Sequence, residues 1–235
     1  MQIENKLAVL ILCGGKGTRL GTKFKNTNKS LIKVNGKTLI STNINYLFKQ
    51  KFRNIFVVTG HAHKKVEKEV NKKFKKKVFL NFTGVNSSIA LRIKKTLKFL
   101  DKFQYVLLMN GDSLYKFNLQ KIFYETVKKS IDCSFICTSK IIKYGFLKVD
   151  SKKRIKSFTK NEKIFNFSNK DDHLFYSGVC FIDIGLLKKN LDKIHKNFEL
   201  NLFNKLIRKN KTKVFLDKAQ FRDFNNLEDI QVLKK

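Results

Sequence analysis

The feature that most constrains this chain is an unbroken apolar run, LAVLILC, that stops at a glycine-rich loop, GGKGTRL. The run covers Leu7–Cys13 and contains no charge, no glycine and no polar alternation. Such a run is typical of a strand buried on both faces, as in a parallel sheet. Gly14, Gly15 and Gly17 then predict a loop with almost no side chains, which lets backbone N–H groups approach a phosphate chain. A plain turn needs one glycine rather than three, so we favour a phosphate-binding loop.

The glycine spacing excludes two common phosphate-binding loops. A dinucleotide fingerprint that begins at Gly15 and Gly17 would need a third glycine at the position of Leu20. A P-loop needs Gly-Lys-Ser or Gly-Lys-Thr at a fixed distance after its first glycine, and no such triplet stands at that distance here. Thr18 and Arg19 close the loop, and Arg19 supplies a planar cation suited to phosphate oxygens. The sequence therefore predicts a phosphate site of another kind.

Beyond the loop, the chain alternates between strand and helix patterns. Short, continuously apolar runs predict strands, and apolar stripes at helical spacing predict helices between them. The predicted strands cover 54–60, 78–82 and 105–109, and the predicted helices start at about 38 and cover 66–74 and 89–100. This order predicts an α/β fold, a Rossmann-like three-layer sandwich with a mostly parallel central sheet, in a single domain spanning 1–235. Ligands of such sheets bind at the carboxyl ends of the strands.

The segment from Gly14 to Leu20 resembles the signature of the sugar-1-phosphate nucleotidyltransferases, in which the first strand leads into G-G-x-G-T-R-L. The resemblance implies the nucleotide-diphospho-sugar transferase form of the fold, with a nucleotide-binding half at about 1–115 and a sugar-phosphate-binding half at about 116–235. The implied reaction joins a nucleoside triphosphate to a sugar 1-phosphate, giving pyrophosphate and a nucleotide-sugar for surface polysaccharide synthesis. The implied nucleotide-binding residues are Leu12, Gly14, Gly15, Gly17, Thr18, Arg19, Gly84, Ser88 and Gly111.

A magnesium site is the second implication of the resemblance. In the family an apolar strand ends in a Gly-Asp pair whose aspartate binds the catalytic Mg²⁺, and Gly111-Asp112 follows such a strand here. Mg²⁺ is usually held by one or two carboxylates together with phosphate oxygens. The implied second ligand is Asp223, although Asn225 occupies a position where some relatives carry their acid. A turn or a helix N-cap is the structural alternative for Asp112.

Other landmarks of the family supply the catalytic cations and the sugar side of the site. Lys29 stands where relatives carry Pro-Lys-Pro, and Asn28 and Ser30 replace the two prolines. The implied catalytic residues are Arg19, which would hold the leaving phosphates, Lys29, which would neutralise charge at the α-phosphate, and Asp112. The residues implied to bind the sugar phosphate are Tyr144, Gly145, Ser177, Gly178 and Lys160, with Lys163 as the alternative to Lys160.

The identity of the base stays open between guanine and cytosine. The stretch 83–94 resembles the glucose-1-phosphate cytidylyltransferases at Thr83, Gly84, Ser87, Arg92 and Lys94. The chain length and the CGGKGTRL loop instead resemble the compact heptose- or mannose-1-phosphate guanylyltransferases. We therefore expect GTP or CTP as the nucleotide. Ala90 and Leu91 replace paired glycines of the family, so a catalytically degenerate protein that binds nucleotide-sugars is one alternative.

The formal net charge of +33 suggests a nucleic acid or another polyanion as partner. Arginine, the residue preferred for base and phosphate recognition, makes up only six of the 51 basic residues, and the lysines are spread along the chain. The lack of proline and tryptophan and the surplus of Phe, Ile, Asn and Lys are what A/T-rich codons would give. We therefore expect no specific nucleic-acid partner, and a basic polyanion-binding protein is the alternative function.

The apolar runs and the cysteines indicate the cellular compartment of the protein. No apolar run approaches the ~20 residues that span a bilayer, and the first residues lack the pattern of a signal peptide. We therefore expect no membrane span. The four cysteines lie in apolar runs without C-x-x-C spacing, which favours reduced core thiols in a cytoplasmic protein. The oligomeric state stays open, with a homo-oligomer as one option.

Overall fold

The computed structural model describes residues 3–16, 27–138, 140–141, 145–149, 153–160, 163–164, 174–191, 198–217 and 221–224. These residues form strands and helices in the alternating order that the sequence predicts. The helices are α1 (Leu39–Lys49), α2 (His63–Phe74), α3 (Ile89–Leu97), α4 (Leu119–Lys128), α5 (Ile184–Leu191) and α6 (Phe198–Lys209). The strands are β1 (Leu7–Cys13), β2 (Lys33–Val34), β3 (Lys37–Thr38), β4 (Ile55–Thr59), β5 (Phe79–Phe82), β6 (Tyr105–Asn110), β7 (Ser113–Tyr115), β8 (Cys133–Thr138), β9 (Lys140–Ile141), β10 (Gly145–Val149), β11 (Ile155–Lys160), β12 (Lys163–Ile164), β13 (Phe175–Asp183), β14 (Thr212–Leu216) and β15 (Phe221–Asp223).

Seven of these strands form the central sheet, in the order β14-β8-β13-β6-β1-β4-β5. Strand β1 lies in the interior of the sheet, parallel to β6 on one side and to β4 on the other. Strand β13 runs antiparallel to both of its neighbours, β6 and β8, and the other pairings in this sheet are parallel. The mostly parallel central sheet predicted from the sequence is therefore confirmed.

Helices cover both faces of the sheet, which explains why the first strand is apolar at every position. Leu7, Val9 and Ile11 of β1 pack in one hydrophobic cluster with side chains of α1, α2 and α4. Ala8 and Leu10 point to the opposite face and pack in a second cluster with α3, α5 and α6. A strand in the middle layer has no solvent-facing side, so polar alternation would bury unpaired polar groups. The predicted three-layer arrangement is confirmed.

Side chains with a hydroxyl or an amide set the starts of three helices. Thr38 caps α1, since its Oγ1 accepts a hydrogen bond from the Ser41 backbone N–H at 3.3 Å. Ser88 caps α3 in the same way at 3.2 Å from Leu91, and Asn118 caps α4. Such caps satisfy backbone donors that the first helical turn leaves unpaired. The caps therefore define where these three helices begin.

The topology brings several loops to one edge of the sheet. Strands β1, β4, β5 and β6 are parallel, so their carboxyl ends lie along this edge, and β13, which runs the other way, begins there. Strand β7 comes directly after β6 in the chain and pairs antiparallel with β15, with Ser113 opposite Asp223. Phe224 is buried with Ile32 and Leu39, which fixes the end of β15 against the body of the protein.

The remaining structural predictions concern cysteines and membrane spans. All four cysteines are free and buried, and burial raises the pKa of the Cys13 thiol to about 12. Such thiols stay protonated at neutral pH and act as small apolar side chains. Among the described residues, no helix has the length and apolar character needed to cross a membrane.

Candidate active site

A cleft of about 870 Å³ opens at the edge of the sheet where the parallel strands end. Its lining includes residues from β1, β6 and β13, from the segments that follow β1 and β6, and from α3, α6 and β15. Eight residues that the sequence singled out lie on its wall, namely Leu12, Gly14, Gly15, Lys29, Asp112, Ser177, Gly178 and Asp223. Residues separated by more than 200 positions are thus brought to one cavity, as expected for a ligand site of a parallel sheet.

Glycines at the ends of β1 and β6 allow close packing. A Cβ atom on Gly14 would lie 2.3 Å from the guanidinium carbon of Arg92. A Cβ atom on Gly111 would lie 2.3 Å from Cys13 Sγ, and the Gly111 backbone N–H donates to Leu12 O at 3.1 Å. Gly15, by contrast, has no atom within 4 Å of such a Cβ position. The loop predicted to hold phosphate therefore starts tightly packed and opens toward the cleft.

Three loop residues predicted to bind nucleotide, Gly17, Thr18 and Arg19, lie outside the described residues. Their roles in holding phosphates therefore stay predictions from the sequence. The adjoining described segment ends at Lys16, which lines the cleft beside Gly15. The chain resumes in the description at Thr27, directly before the segment that carries Lys29.

Asn28 ties the Lys29 segment to the edge of the sheet. Its Nδ2 donates to Cys13 O at 2.6 Å and to His61 O at 2.9 Å. Its Oδ1 accepts from the Ser30 backbone N–H at 3.0 Å and from Ser30 Oγ at 2.8 Å. Sequence reasoning treated Asn28 and Ser30 only as replacements of two family prolines. The structure shows that their side chains form a hydrogen-bonded brace on either side of Lys29.

Lys29 and Asp112 form an ion pair in the cleft, with Nζ 3.8 Å from Asp112 Oδ2. The Lys29 side chain is 13% exposed and that of Asp112 is 35% exposed. Burial raises the pKa of the Asp112 carboxyl above its ordinary value, the Lys29 ammonium works against this rise, and the charge of Asp223 adds to it. Two carboxylates that repel each other at one side of a cleft provide a donor set that fits a divalent cation.

The second carboxylate reaches the site through strand pairing. Asp223 is the last residue of β15 and lies opposite Ser113, the residue after Asp112. Among the described residues, no group of three or more His, Cys, Asp or Glu side chains could hold a metal ion alone. A cation at Asp112 and Asp223 would therefore need further oxygen ligands, such as those of phosphates or water.

The predicted sugar-phosphate residues fall into two groups. Ser177 and Gly178 line the cleft at the start of β13, where Ser177 Oγ donates to Ile136 O at 2.7 Å. Gly178 has φ +79°, and a Cβ there would lie 2.4 Å from Asn110 Nδ2. Gly145 and Lys160 pair with each other at the open end of the antiparallel β10–β11 pair. Tyr144 lies outside the described residues.

The segment between β5 and α3 leads from a glycine with positive φ into a capped helix. Gly84 adopts φ +106°, and Ser88, predicted to bind nucleotide, caps α3. Ala90 is 6% exposed and packs in the core on the α3 side, so the positions of the missing glycines form the first turn of a helix. The substitution of glycine by Ala90 and Leu91 therefore stabilises α3.

Sequence reasoning did not select Arg92 as a site residue. Arg92 lies on the buried face of α3, is 8% exposed, and lines the cleft. Its Nε donates to Ser87 Oγ at 3.1 Å. Two signals were available: Arg92 belongs to the stretch that resembles the cytidylyltransferases, and it is a charged residue on the apolar stripe of a helix. The other lining residues that were not selected include Asn110, Thr138, Phe175, Tyr176, Phe198, Glu199 and Phe221.

Comparison with known proteins agrees with this architecture. The family model described as nucleotidyl transferase matches residues 8–231. The chain is 29% identical over 168 residues to D-glycero-alpha-D-manno-heptose 1-phosphate guanylyltransferase of Campylobacter jejuni, covering 68% of this chain and 70% of the relative. It is 20% identical over 240 residues to the enzyme of the same name from Aneurinibacillus thermoaerophilus, covering 97% of both.

A solved structure shows the same fold. HddC from Yersinia pseudotuberculosis, crystallised in complex with GMP-PN, superposes with a TM-score of 0.70 at 22% identity. The alignment covers 96% of this chain and 97% of HddC. The family match spans nearly the whole chain, from the start of β1 to beyond β15. The chain therefore belongs to the nucleotidyl transferase family, as a sugar-1-phosphate nucleotidyltransferase.

Proposed function

We propose that this protein joins GTP to a sugar 1-phosphate and releases pyrophosphate, with Mg²⁺ held by Asp112 and Asp223. The observation that carries the proposal is the Lys29–Asp112 pair, which lies in the cleft beside the strand that carries Asp223. Nucleotidyl transferases generally use a divalent metal ion. The choice of guanine is supported by the guanylyltransferase names of two relatives and by the GMP-PN complex of HddC.

The reaction needs charge stabilisation more than it needs a protein nucleophile. The attacking oxygen belongs to a phosphate that is already an anion, so the site has to position two phosphates that repel each other. Mg²⁺, when bound, would neutralise phosphate oxygens and align them. Lys29 would place its ammonium at the α-phosphate, where negative charge increases during the displacement. Arg19 and the amides of Gly14 and Gly15 would hold the departing pyrophosphate.

Strand order suggests how the two substrates lie across the sheet. The phosphates would occupy the ends of β1 and β6, next to Lys29 and Asp112. The sugar phosphate would approach from the β13 side, where Ser177 and Gly178 line the cleft. The nucleoside would extend toward β4 and β5, which lie on the other side of β1. This arrangement assigns the nucleotide mainly to the half at about 1–115, and the product would feed surface polysaccharide synthesis.

A substrate panel tests the proposal. Purified protein is incubated with GTP, CTP, ATP or UTP, each with mannose 1-phosphate, a heptose 1-phosphate or glucose 1-phosphate, and pyrophosphate release is measured. We expect the highest release with GTP and one of the sugar phosphates, and loss of release when EDTA removes the metal. Release that persists in EDTA would contradict the metal assignment. An absence of release with every pair at millimolar Mg²⁺ would contradict the proposed function.

A further inference from the structure

We propose that Arg92 reads the nucleobase by donating two N–H groups to two adjacent acceptor atoms on one edge of the base. The inference rests on the proposed function and adds the residue that selects the nucleotide. Guanine presents two adjacent acceptors at O6 and N7, and cytosine presents two at O2 and N3. Adenine places an amino donor beside N7, and uracil alternates carbonyls with an N–H donor. Arg92 would therefore favour guanine or cytosine over adenine and uracil.

Burial of the Arg92 charge is the first support. The residue is 8% exposed, and a buried cation destabilises a protein unless strong acceptors surround it. Within the part of the chain that the structure describes, no carboxylate forms an ion pair with its guanidinium. Cys13 is close, but burial raises the pKa of that thiol to about 12, so it carries no negative charge at neutral pH. Because Arg92 lines the cleft, a ligand can supply the acceptors.

The orientation of the guanidinium is fixed from one side. Arg92 Nε donates to Ser87 Oγ at 3.1 Å, and Ser87 Oγ in turn donates to Gly84 O at 2.7 Å. Thr83 Oγ1 lies 3.2 Å from the same Ser87 oxygen, and also donates to Thr59 O at 2.8 Å. The Nε side of the guanidinium is therefore anchored to the end of β4 and to the segment that follows β5. Arg92 lines the cleft, and we assign its two terminal nitrogens as the donors to a ligand there.

Two glycines make room for this side chain. A Cβ on Gly14 would lie 2.3 Å from the Arg92 guanidinium carbon, and a Cβ on Gly60 would lie 3.2 Å from its Nη2. The guanidinium thus occupies the space beside the ends of β1 and β4, where any other residue in place of Gly14 would displace it. A planar fork held against backbone can donate in parallel to two adjacent acceptors, which is the pattern that one edge of guanine or cytosine presents. A phosphate group can accept in the same way, so the binding of inorganic tripolyphosphate has to distinguish the two kinds of ligand.

The position along the sheet agrees with a role at the base. Asp112 and Lys29, where the α-phosphate is proposed to lie, are at the end of β6. Arg92 lies beside β1 and β4, one to two strands away, which is about 5–10 Å at the usual strand spacing. The proposed sugar-phosphate residues of β13 lie in the opposite direction. A nucleotide with its α-phosphate at Lys29 would therefore direct its base toward Arg92.

Direct binding measurements test the inference without relying on turnover. Titration calorimetry with the full chain, Mg²⁺ and no sugar phosphate gives affinities for GTP, CTP, ATP, UTP and inorganic tripolyphosphate. We expect the wild type to prefer GTP or CTP by at least ~10-fold over ATP and UTP, the size of a bidentate arginine–base contact. The measured preference also decides between guanine and cytosine. If the protein binds GTP or CTP selectively but shows no turnover, the proposed function is contradicted and the base-reading role of Arg92 is not.

Arg92→Lys and Arg92→Gln are the variants that decide the role. We expect affinity for the preferred nucleotide to fall at least ~10-fold in both, while ATP, UTP and tripolyphosphate change less than about twofold. Lys98→Gln removes one exposed charge just after α3 and should leave all affinities unchanged. An equal loss for every nucleotide and for tripolyphosphate would overturn the inference, because it would make Arg92 a phosphate anchor. A wild type without base preference would overturn it as well.

Ser87→Ala provides a second test if the Arg92 variants do not fold, as judged by thermal melting. This change keeps the charge of Arg92 and removes the acceptor of its Nε. We expect the preference for the favoured base to fall about threefold, with tripolyphosphate affinity unchanged, since a hydrogen bond that only orients the guanidinium contributes less to base selection than a direct contact with the base. Unchanged base preference in Ser87→Ala would show that the bond to Ser87 does not orient the Arg92 guanidinium toward the base.

Discussion

Asn28 Nδ2 lies 2.6 Å from the carbonyl oxygen of Cys13, so a side chain outside the central sheet is hydrogen-bonded to the last residue of its interior strand. The same Nδ2 reaches His61 O, just beyond β4. Asn28 is 2% exposed, and its bonds satisfy carbonyl groups at the ends of two parallel strands. Because Lys29 is the next residue, the hydrogen bonds of Asn28 to the ends of these strands also set the position of the proposed catalytic lysine.

Replacing Asn28 by Ala should destabilise the protein and impair the site. The change leaves buried carbonyls without a donor, which lowers the free energy of unfolding by about 2 kcal/mol. For a chain of this size the melting temperature should fall by roughly 4–8 °C. Turnover of the folded variant should also decrease, because Lys29 loses its support. The matched control is Asn190→Ala, which removes one bond within α5 and should shift the melting temperature less.

A second prediction concerns the contact between Gly111 and Cys13. Ala at position 111 would bring a methyl group to 2.3 Å from Cys13 Sγ, and such overpacking costs about 1–3 kcal/mol of stability. Cys13→Ala removes the sulfur that causes the clash. The double variant should therefore be more stable, by about 1 kcal/mol, than the sum of the two single changes predicts. Chemical denaturation of the four proteins measures this coupling, and strictly additive effects would show that the neighbouring backbone causes the strain.

The strands and helices follow from the sequence because burial on two faces leaves a local signal. Leu7–Cys13 is apolar throughout since it lies between two helical layers, and the edge where ligands bind follows from parallel strands. Helix caps such as Thr38 were also within reach of sequence reasoning. Asp223 was named as a metal ligand only through the family resemblance, and the pairing of β15 with β7 was not predicted.

Contacts between distant segments left no comparable signal. The bonds of Asn28 join positions 15 and 33 residues apart, and an asparagine in a loop gives no local indication of such partners. Ser88 caps α3, and its predicted contact with nucleotide stays a prediction. The bond from Arg92 Nε to Ser87 Oγ was not predicted. The antiparallel direction of β13 likewise depends on its register with β6 and β8, which no short pattern encodes.

Asp112→Asn should separate activity from stability. Burial raises the pKa of Asp112 in the folded protein, so its contribution to stability is present below the unfolded pKa and is lost as pH rises through the folded pKa. At neutral pH the neutral Asn removes that penalty, and the melting temperature without metal should stay equal or rise. Turnover should fall at least ~100-fold, because metal-based charge stabilisation contributes several kcal/mol. Asp101→Asn, an exposed carboxylate paired with Lys188, should change neither quantity substantially.

Lys29 should set the pH at which Asp112 binds metal. Its ammonium opposes the rise of the Asp112 pKa caused by burial, so Lys29→Met should raise that pKa further. Protonated Asp112 cannot bind a cation, and metal affinity should therefore be lost at a higher pH in the variant as the solution is acidified. Manganese binding, followed by electron paramagnetic resonance between pH 5 and pH 8 in both proteins, measures the pH at which metal affinity is lost. Removal of a neighbouring positive charge should move this pH upward. If the variant instead keeps its metal affinity to a lower pH than the wild type, Lys29 does not act on Asp112 in this way.

The central claim, transfer of a nucleotidyl group to a sugar 1-phosphate, is tested most directly by following the phosphate oxygens. Sugar 1-phosphate labelled with ¹⁸O in its phosphate group is supplied with unlabelled GTP and Mg²⁺, and the products are analysed by mass spectrometry. If an oxygen of the sugar phosphate attacks the α-phosphorus of the nucleotide, all of the label appears in the nucleotide-sugar and the pyrophosphate is unlabelled. Labelled inorganic phosphate, or GMP and pyrophosphate without a labelled nucleotide-sugar, would contradict transfer between these two substrates.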